Sequence, residues 1–252
     1  GLDRIENAEP DWLFISGVTE DRLIPIASAL KVPDKAVLAL FQSSVPRFGR
    51  LEPFSTLFVR YPLAFDADGR LQRTPVLLIG TADNVVVLCR EHTDLERCVE
   101  QRLAGLDPSM PRLGRATVAL SGEIVRAYPA VIEHLESSLI TLGSQQVSLK
   151  DEAFLAATFH LRADILRVRG DLKHLKSVVR DLSQGNLLLA GSDAGDRELF
   201  RFLADDTADL YDGIEDLRDS LQALVDLRLN VSSFQMNRVM RLLALLTALA
   251  LI

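Results

Sequence analysis

The last quarter of the chain carries one long helical pattern of hydrophobic positions. Apolar or nearly apolar residues recur every three or four positions, which is the spacing of one helix face. These residues are Leu203, Thr207, Leu210, Ile214, Leu217, Leu221, Leu224 and Val231, with Arg228 interrupting the row. The pattern predicts one helix from Asp196 to Ile252, on the order of 80 Å long. Such a helix needs neighbours along its length, and identical subunits are the expected neighbours.

The same predicted helix changes character near its end. Residues 242–252 read Leu-Leu-Ala-Leu-Leu-Thr-Ala-Leu-Ala-Leu-Ile and leave no polar face. A membrane-spanning helix needs about 20 apolar residues, so Val239–Ile252 is too short to cross a bilayer alone. We expect it to be the first half of a transmembrane helix in a longer protein, with Arg228, Arg238 and Arg241 marking the cytoplasmic flank. The alternative is a buried terminal helix of a soluble domain.

The first hundred residues alternate between strand-like and helical patterns. Leu57–Tyr61 and Val85–Leu88 are continuous runs of β-branched, aromatic and other apolar residues, typical of strands covered by helices on both faces. Asp66–Gly69 is a turn signal between strands. Strands are predicted over 12–16, 48–51, 56–62, 75–81 and 84–90, and short helices over 19–30, capped by Thr19, and 35–41.

The remaining residues before the long helix are mostly helical. Thr93 and Asp94 form an N-cap pair for a helix over 95–106. A second helix is predicted over 116–142, interrupted or kinked at Pro129, and a third from Val147 to about Leu182. The fold class is therefore α+β or α/β, a helix-covered mixed sheet followed by long helices. The expected division is 1–110 (α/β domain), 111–195 (helical region), 196–238 (stalk helix) and 239–252 (start of a transmembrane helix).

Composition narrows the possible functions. The net charge is −7, from 28 Lys and Arg against 35 Asp and Glu, and no basic stripe is visible, so a nucleic-acid platform is disfavoured. Cys89 and Cys98 are too few for a disulfide framework or a zinc site and fit a reducing cytoplasm. The histidines lack ligand spacing, and no phosphate loop or nucleophile motif is present in the sequence. We therefore expect neither an enzyme nor a bound cofactor.

The segment before the apolar end carries a family resemblance. Leu224–Leu243 contains a Leu-Asp pair, then Ser232-Ser233, then Asn-x-Val-Met-Arg-x-Leu over residues 237–243. This segment resembles the junction between stalk and membrane in the CorA-type family of divalent-cation transporters. Phe159-His160-Leu161-Arg162 also resembles the helix that precedes the stalk in that family. The resemblance implies a cytoplasmic α/β domain leading through a stalk helix into the first, pore-lining transmembrane helix.

The resemblance implies that Asn237, Met240 and Leu243 face a pore, with Asp226 lower on the same face. Helical spacing independently groups Asp226, Asn237, Met240 and Thr247, because offsets of three, seven and eleven residues return to nearly one face. Met240 and Leu243 would form an apolar constriction, and Asn237 would offer amide oxygens to a hydrated cation. The alternative is that Asn237 and Met240 belong to an ordinary coiled coil, Asn237 as a polar residue in its seam and Met240 as a core-filling residue.

An acidic stretch lies below the junction. Asp205 and Asp209 are its candidate metal ligands, binding Mg²⁺ through water between neighbouring stalks. A solvated helix face is the competing interpretation. The sequence also departs from the family here, because Phe202 replaces the aspartate expected to bind metal between subunits. The whole stretch comprises Asp205, Asp206, Asp209, Asp212, Glu215, Asp216 and Asp219.

The leading hypothesis is the cytoplasmic region of a CorA-like transporter for Mg²⁺, or for the related ions Co²⁺ and Ni²⁺. The resemblance implies a homopentamer in the cell (inner) membrane, held there by the C-terminal helix, without a nucleic-acid partner. It also implies a Gly-Met-Asn selectivity motif beyond Ile252. Two alternatives stay open at this point: the zinc-transporting branch of the same superfamily, and a soluble coiled-coil adaptor with an apolar docking tail.

Overall fold

The computed structural model describes residues 12–43, 45–51, 53–81, 84–145, 151–187, 189 and 194–250. A five-stranded sheet is followed by three long helices. The strands are β1 (Trp12–Ile15), β2 (Arg47–Leu51), β3 (Phe54–Phe65), β4 (Leu71–Gly80) and β5 (Val85–Cys89). The helices are α1 (Glu20–Ala29), α2 (Asp34–Phe41), α3 (Leu95–Ala104), α4 (Arg112–Ser144), α5 (Asp151–Gln184) and α6 (Ala194–Ala250).

The sheet is mixed, as predicted. Its strand order is β1-β5-β4-β3-β2, with β1 parallel to β5 and the other pairs antiparallel. Strands β3 and β4 are longer than predicted and form a hairpin around the Asp66–Gly69 turn. In that turn the Asp66 carboxylate accepts hydrogen bonds from the backbone N–H groups of Asp68 and Arg70. These bonds replace strand pairing at the tip of the hairpin.

Helices cover both faces of the sheet because alternate side chains of its central strands are apolar on both sides. In β4, Val76 and Leu78 pack towards the long helices, whereas Leu77 and Ile79 pack towards α1 and α2. Strand β5 repeats this alternation over its five buried residues. The larger core then continues from the sheet into α4, α5 and the first part of α6.

Two local predictions differ from the structure. Helix α4 is not interrupted at Pro129 but continues through it for 33 residues, because burial of Tyr128 and Val131 outweighs the loss of one backbone donor. Thr19 occupies the N-cap of α1, but its side chain makes no capping hydrogen bond. At α3 the N-cap is Asp94, whose side chain likewise makes no capping hydrogen bond, while the Thr93 hydroxyl accepts the backbone N–H of Leu95 at 3.3 Å. Residues 146–150, where the third long helix was predicted to begin, lie outside the described residues.

A buried polar cluster joins the sheet to the long helices. Arg73 of β4 donates to the Asp171 carboxylate of α5 at 2.5 Å, and Tyr128 of α4 donates to the carbonyl oxygen of Arg60 at 3.3 Å. Burial raises the pKa of Asp171 to about 6, although the neighbouring Arg73 guanidinium acts in the opposite direction. Burial also raises the pKa of the Tyr128 hydroxyl well above its ordinary value. The cluster therefore holds a carboxyl group that titrates near neutrality.

Asp171→Asn tests the energetic consequence of this burial. Because the pKa of Asp171 is higher in the folded state than in the unfolded state, the contribution of this carboxyl group to stability falls as the pH rises from about 4 to about 6. The variant lacks this titration. Its free energy of unfolding should therefore gain about 2 kcal/mol relative to wild type between pH 4 and pH 7. Urea unfolding at both pH values measures the difference, and a difference that does not change with pH would contradict the assignment.

Candidate functional site

The first half of α6 is a packed helix with one apolar face. Leu203, Thr207, Ile214, Leu217 and Leu221 are buried against α4 and α5. Leu210 and Leu224 are partly buried and pack on the same core. The predicted seam is therefore confirmed as far as Leu224. Val231, its last predicted member, is exposed.

The opposite face of α6 is exposed along its whole described length. We call this row, which advances alternately by four and three residues, the exposed stripe. Two series with heptad spacing build it, and such spacing keeps one face in register along a supercoiled helix. The stripe consists of Asp205, Asp209, Asp212, Asp216, Asp219, Ala223, Asp226, Asn230, Ser233, Asn237, Met240, Ala244 and Thr247.

Nearly all the predicted site residues lie on this one stripe. Asp205 and Asp209 begin it, whereas Asp226, Asn237, Met240 and Thr247 continue it over a distance of about 63 Å from Asp205. Leu243 follows Met240 by three residues and therefore lies about 60° around the helix from it. The continuity of the aspartates with the predicted pore residues was missed in the sequence analysis, although the heptad spacing was the signal for it.

Beyond Arg228, whose guanidinium lies over the Phe154 ring of α5, the large apolar side chains of α6 are uncovered by the described residues. Phe234 is 76% and Leu249 70% exposed. Within the described part of the chain, no helix combines the length and the apolar character that crossing a membrane requires. This part of the helix retains its backbone hydrogen bonds, but no described residue covers its large apolar side chains.

The polar groups of the stripe differ in their partners. Asp226 accepts a hydrogen bond from the Gln222 side chain at 3.0 Å, one helical turn below. The Thr247 hydroxyl donates to the carbonyl oxygen of Leu243 at 2.7 Å and keeps its lone pairs directed away from that bond. Asp205 and Asp209 are exposed. Among the described residues no three acidic, histidine or cysteine side chains form a group that could hold a metal ion.

Beside the stripe, an ionic cluster ties α6 to α5. Glu215 accepts hydrogen bonds from Tyr211 and Arg169, both at 2.5 Å, and pairs with Arg218 at 2.5 Å. The hydrogen bond from the Tyr211 hydroxyl is the largest cause that lowers the pKa of the Glu215 carboxyl, and Arg169 and Arg218 lower it further. Glu215 was grouped with the candidate metal-binding stretch by sequence. Its carboxylate is instead committed to neighbours in the same chain.

Phe202 lies at the start of the stripe and half of its side chain is exposed. It lines a cavity of about 570 Å³ between α3, α4 and α6, together with Arg102, Arg126, Asp206 and Asp209. Arg102 on the wall of this cavity donates to the Glu123 carboxylate at 2.7 Å. The aromatic ring therefore occupies a position surrounded by carboxylates and paired cations, where it contributes no metal-ligating atom.

A known family model matches almost the entire chain. The model for the CorA-like Mg²⁺ transporter protein matches residues 7–252. The cobalt/magnesium transport protein CorA of Methanocaldococcus jannaschii is 23% identical over 218 residues, which covers 84% of this chain. The chain spans 66% of the length of that relative.

Solved structures share the fold. The complete CorA magnesium transporter of M. jannaschii superposes with a TM-score of 0.78 at 18% identity, covering 94% of this chain and 74% of that one. The cytoplasmic domain of ZntB from Vibrio parahaemolyticus superposes with a TM-score of 0.66 at 13% identity, covering 90% of each chain. The α+β architecture with its long terminal helix is thus common to all three proteins.

The end of the packed core within α6 can be tested with two leucine substitutions. Leu221→Ala removes a side chain that is 3% exposed and should lower the free energy of unfolding by about 2–5 kcal/mol. Leu229→Ala removes one that is 58% exposed, and its effect should stay within about 0.5 kcal/mol. Urea unfolding of both variants gives the comparison. Equal losses would mean that the core extends beyond Val225.

Proposed function

This chain belongs to the family of CorA-like Mg²⁺ transporters, and we propose that it forms the cytoplasmic part of a divalent-cation transporter together with the beginning of its pore. The observation that carries the proposal is the exposed stripe of α6. It joins carboxylates, then amide and hydroxyl groups, then Met240, on one face of a continuous helix. Such a sequence of groups suits a path along which a hydrated cation is attracted and then filtered.

Several copies of the chain are needed to enclose a path. One helix presents only one wall, and the large apolar side chains of α6 beyond Arg228 are uncovered by the rest of the described chain. We propose that identical copies surround an axis with their stripes facing inward, in the pentamer that the family resemblance implies. In this arrangement residues 1–110 form the sheet-bearing domain, 111–195 the helical support, 196–238 the stalk and 239–252 the start of the membrane helix.

Each stripe residue has a role that follows from its chemistry. Rings of Asp226 at the cytoplasmic mouth concentrate cations, and Asn237 offers amide oxygens to an ion that keeps its water shell. Met240 makes an apolar ring that stops hydrated ions by dewetting, with Leu243 on its flank. Thr247 presents a hydroxyl beyond that ring. Tilting the helices widens the rings and opens the path.

Asp205 and Asp209 are proposed as a weaker, regulatory cation site between copies. Both are exposed and neither has an ion-pair partner among the described residues, so mutual repulsion rises when several stalks approach an axis. Mg²⁺ bound through water would reduce that repulsion and hold the stalks together. Phe202 weakens the case for the family's usual intersubunit site, because its ring supplies no ligand.

Zinc transport is the second candidate for the ion. The structural similarity to the cytoplasmic domain of ZntB supports it, whereas the family model and the cobalt/magnesium relative favour Mg²⁺. Competition between Zn²⁺ and Mg²⁺ during flux through the full-length protein separates the two. Family membership argues against the soluble adaptor.

Met240→Ala in the full-length protein tests the apolar ring. Removing the side chain widens the constriction, so Mg²⁺ influx into liposomes should rise several-fold and closure at high internal Mg²⁺ should weaken. Met236→Ala is the matched control, because Met236 is equally exposed on the same helix but lies off the stripe. Unchanged flux and unchanged gating in Met240→Ala would count against the pore assignment.

A paired substitution tests the regulatory carboxylates. Mg²⁺ should raise the melting temperature of the wild-type oligomer, and Asp205→Asn/Asp209→Asn should abolish most of that increase. Asp21→Asn/Asp68→Asn removes the same charge from exposed sites on α1 and in the β3–β4 turn, and should leave the increase intact. A Mg²⁺ effect of equal size in both variants would exclude Asp205 and Asp209 as the site.

A further inference from the structure

Helix α5 has two apolar faces, and the described residues cover only one of them. Leu161, Ile165, Val168 and Leu172 are buried against the other long helices. A second row, which we call the outer row, consists of Leu155, Phe159, Arg162 and Leu166 at intervals of four, three and four residues. Its three apolar members are 46–65% exposed. A second apolar row at helical spacing is typical of a helix that packs on a further helix.

The outer row borders a groove rather than a flat surface. Together with Arg218, Asp219, Gln222 and Val225 of α6 it encloses a cavity of about 410 Å³, in which the Asp219 carboxylate is paired with Arg218. The neighbouring cations Arg167, Arg169 and Arg218 all form ion pairs with carboxylates of the same chain. Arg162 has no ion-pair partner among the described residues, although it lies in the middle of the row. The groove therefore offers apolar contact and one unpaired positive charge.

The direction in which the exposed stripe faces identifies the partner that fills this groove. If the stripes face a common axis, as the proposed function requires, one flank of each α6 carries α5 and the groove. The other flank carries Ser220, Leu227 and Phe234 at heptad spacing, with Asp216 at its border with the stripe. In a closed ring each copy turns opposite flanks towards its two neighbours. The groove of one copy then faces the Leu227 flank of the next.

The two surfaces also lie at matching heights along the stalk. The Arg228 guanidinium lies 5.4 Å from the centre of the Phe154 ring, which sets the start of α5 beside the Leu227 turn of α6. Lower on the stalk, the Arg169–Glu215 hydrogen bond places residue 169 of α5 beside residue 215 of α6. Arg162 therefore lies near residue 221 in height, and Asp216 is about 7 Å below, within reach of an arginine side chain. A ring related by rotation alone preserves these heights between copies.

We propose that the groove between α5 and α6 binds helix α6 of a second copy of this chain. Leu227 of that copy packs against Leu155 and Phe159, and its Asp216 pairs with Arg162. Complementarity supports this occupant: Asp216 is exposed and has no ion-pair partner among the described residues, and Leu227 is 48% exposed. The inference deepens the proposed function and rests on its inward-facing stripes.

Cysteine cross-linking in the full-length protein tests the apolar contact. Leu155→Cys combined with Leu227→Cys, in a Cys98→Ser background, should give a ladder of covalent oligomers on oxidation, because a disulfide requires Cα atoms within about 7 Å. Ala157→Cys with Leu227→Cys is the control at the same height, since Ala157 lies on another exposed side of α5. A ladder in both pairs, or in neither, would overturn the proposed contact.

Charge reversal tests the ion pair. Arg162→Asp should weaken assembly of the full-length protein at least tenfold, measured as the concentration at which the detergent-solubilised oligomer dissociates. Asp216→Arg alone should weaken it as well, and Arg162→Asp/Asp216→Arg should restore most of the loss. Additive losses in the double variant would refute the pair.

These results separate the interface from the proposed function. An oligomer that transports Mg²⁺ but gives neither the selective ladder nor the charge rescue would refute the interface alone. A protein that gives both results and carries no divalent cation would refute the transport function while leaving the interface in place.

Discussion

The structure depends on one helix whose two opposite faces meet different surroundings. Helix α6 spans 57 residues, about 85 Å, and its apolar seam packs on α4 and α5 only as far as Leu224. A helix can continue past its cover because its backbone hydrogen bonds are internal. The apolar side chains beyond that point have no such compensation, and the described part of the chain does not bury them. Aspartates on the face opposite the seam keep that side in water or among cations.

Buried polar contacts determine how the sheet sits against this helical support. Asp171 receives the Arg73 guanidinium, and Asp164 accepts the backbone N–H of Leu71 at 3.3 Å, so β4 is bonded to α5 at two points. Buried hydrogen bonds of this kind are directional, whereas apolar packing alone permits sliding. Movement of the sheet relative to α5 would leave a carboxylate unpaired in a dry environment. The two bonds therefore fix the position of β4 along α5.

The elements recognised from sequence were those whose signals are local and repeated. The α6 seam, the doubly covered strands and the Asp66–Gly69 turn each depend on spacing within a few residues. The local predictions failed where contacts with distant parts of the chain outweighed the preference of a single residue. Pro129 predicts a break by its missing donor, but α4 continues through it as one helix in which Tyr128 and Val131 are buried. Thr19 has a capping side chain by type, yet only its backbone carbonyl is used, by Arg22.

The sequence alone was enough to predict the fold class, the long helix and its apolar end. It also placed four residues on a single helix face: Asp226, Asn237, Met240 and Thr247. All of these depend on helical and strand periods, which the order of residues specifies directly. Tertiary structure decided where the cover of α6 ends, that Glu215 is occupied by Tyr211 and Arg169, and that α5 keeps a second apolar row open. Periodicity shows which residues share a face of a helix. The neighbour that covers each face depends on contacts between distant parts of the chain, which periodicity does not specify.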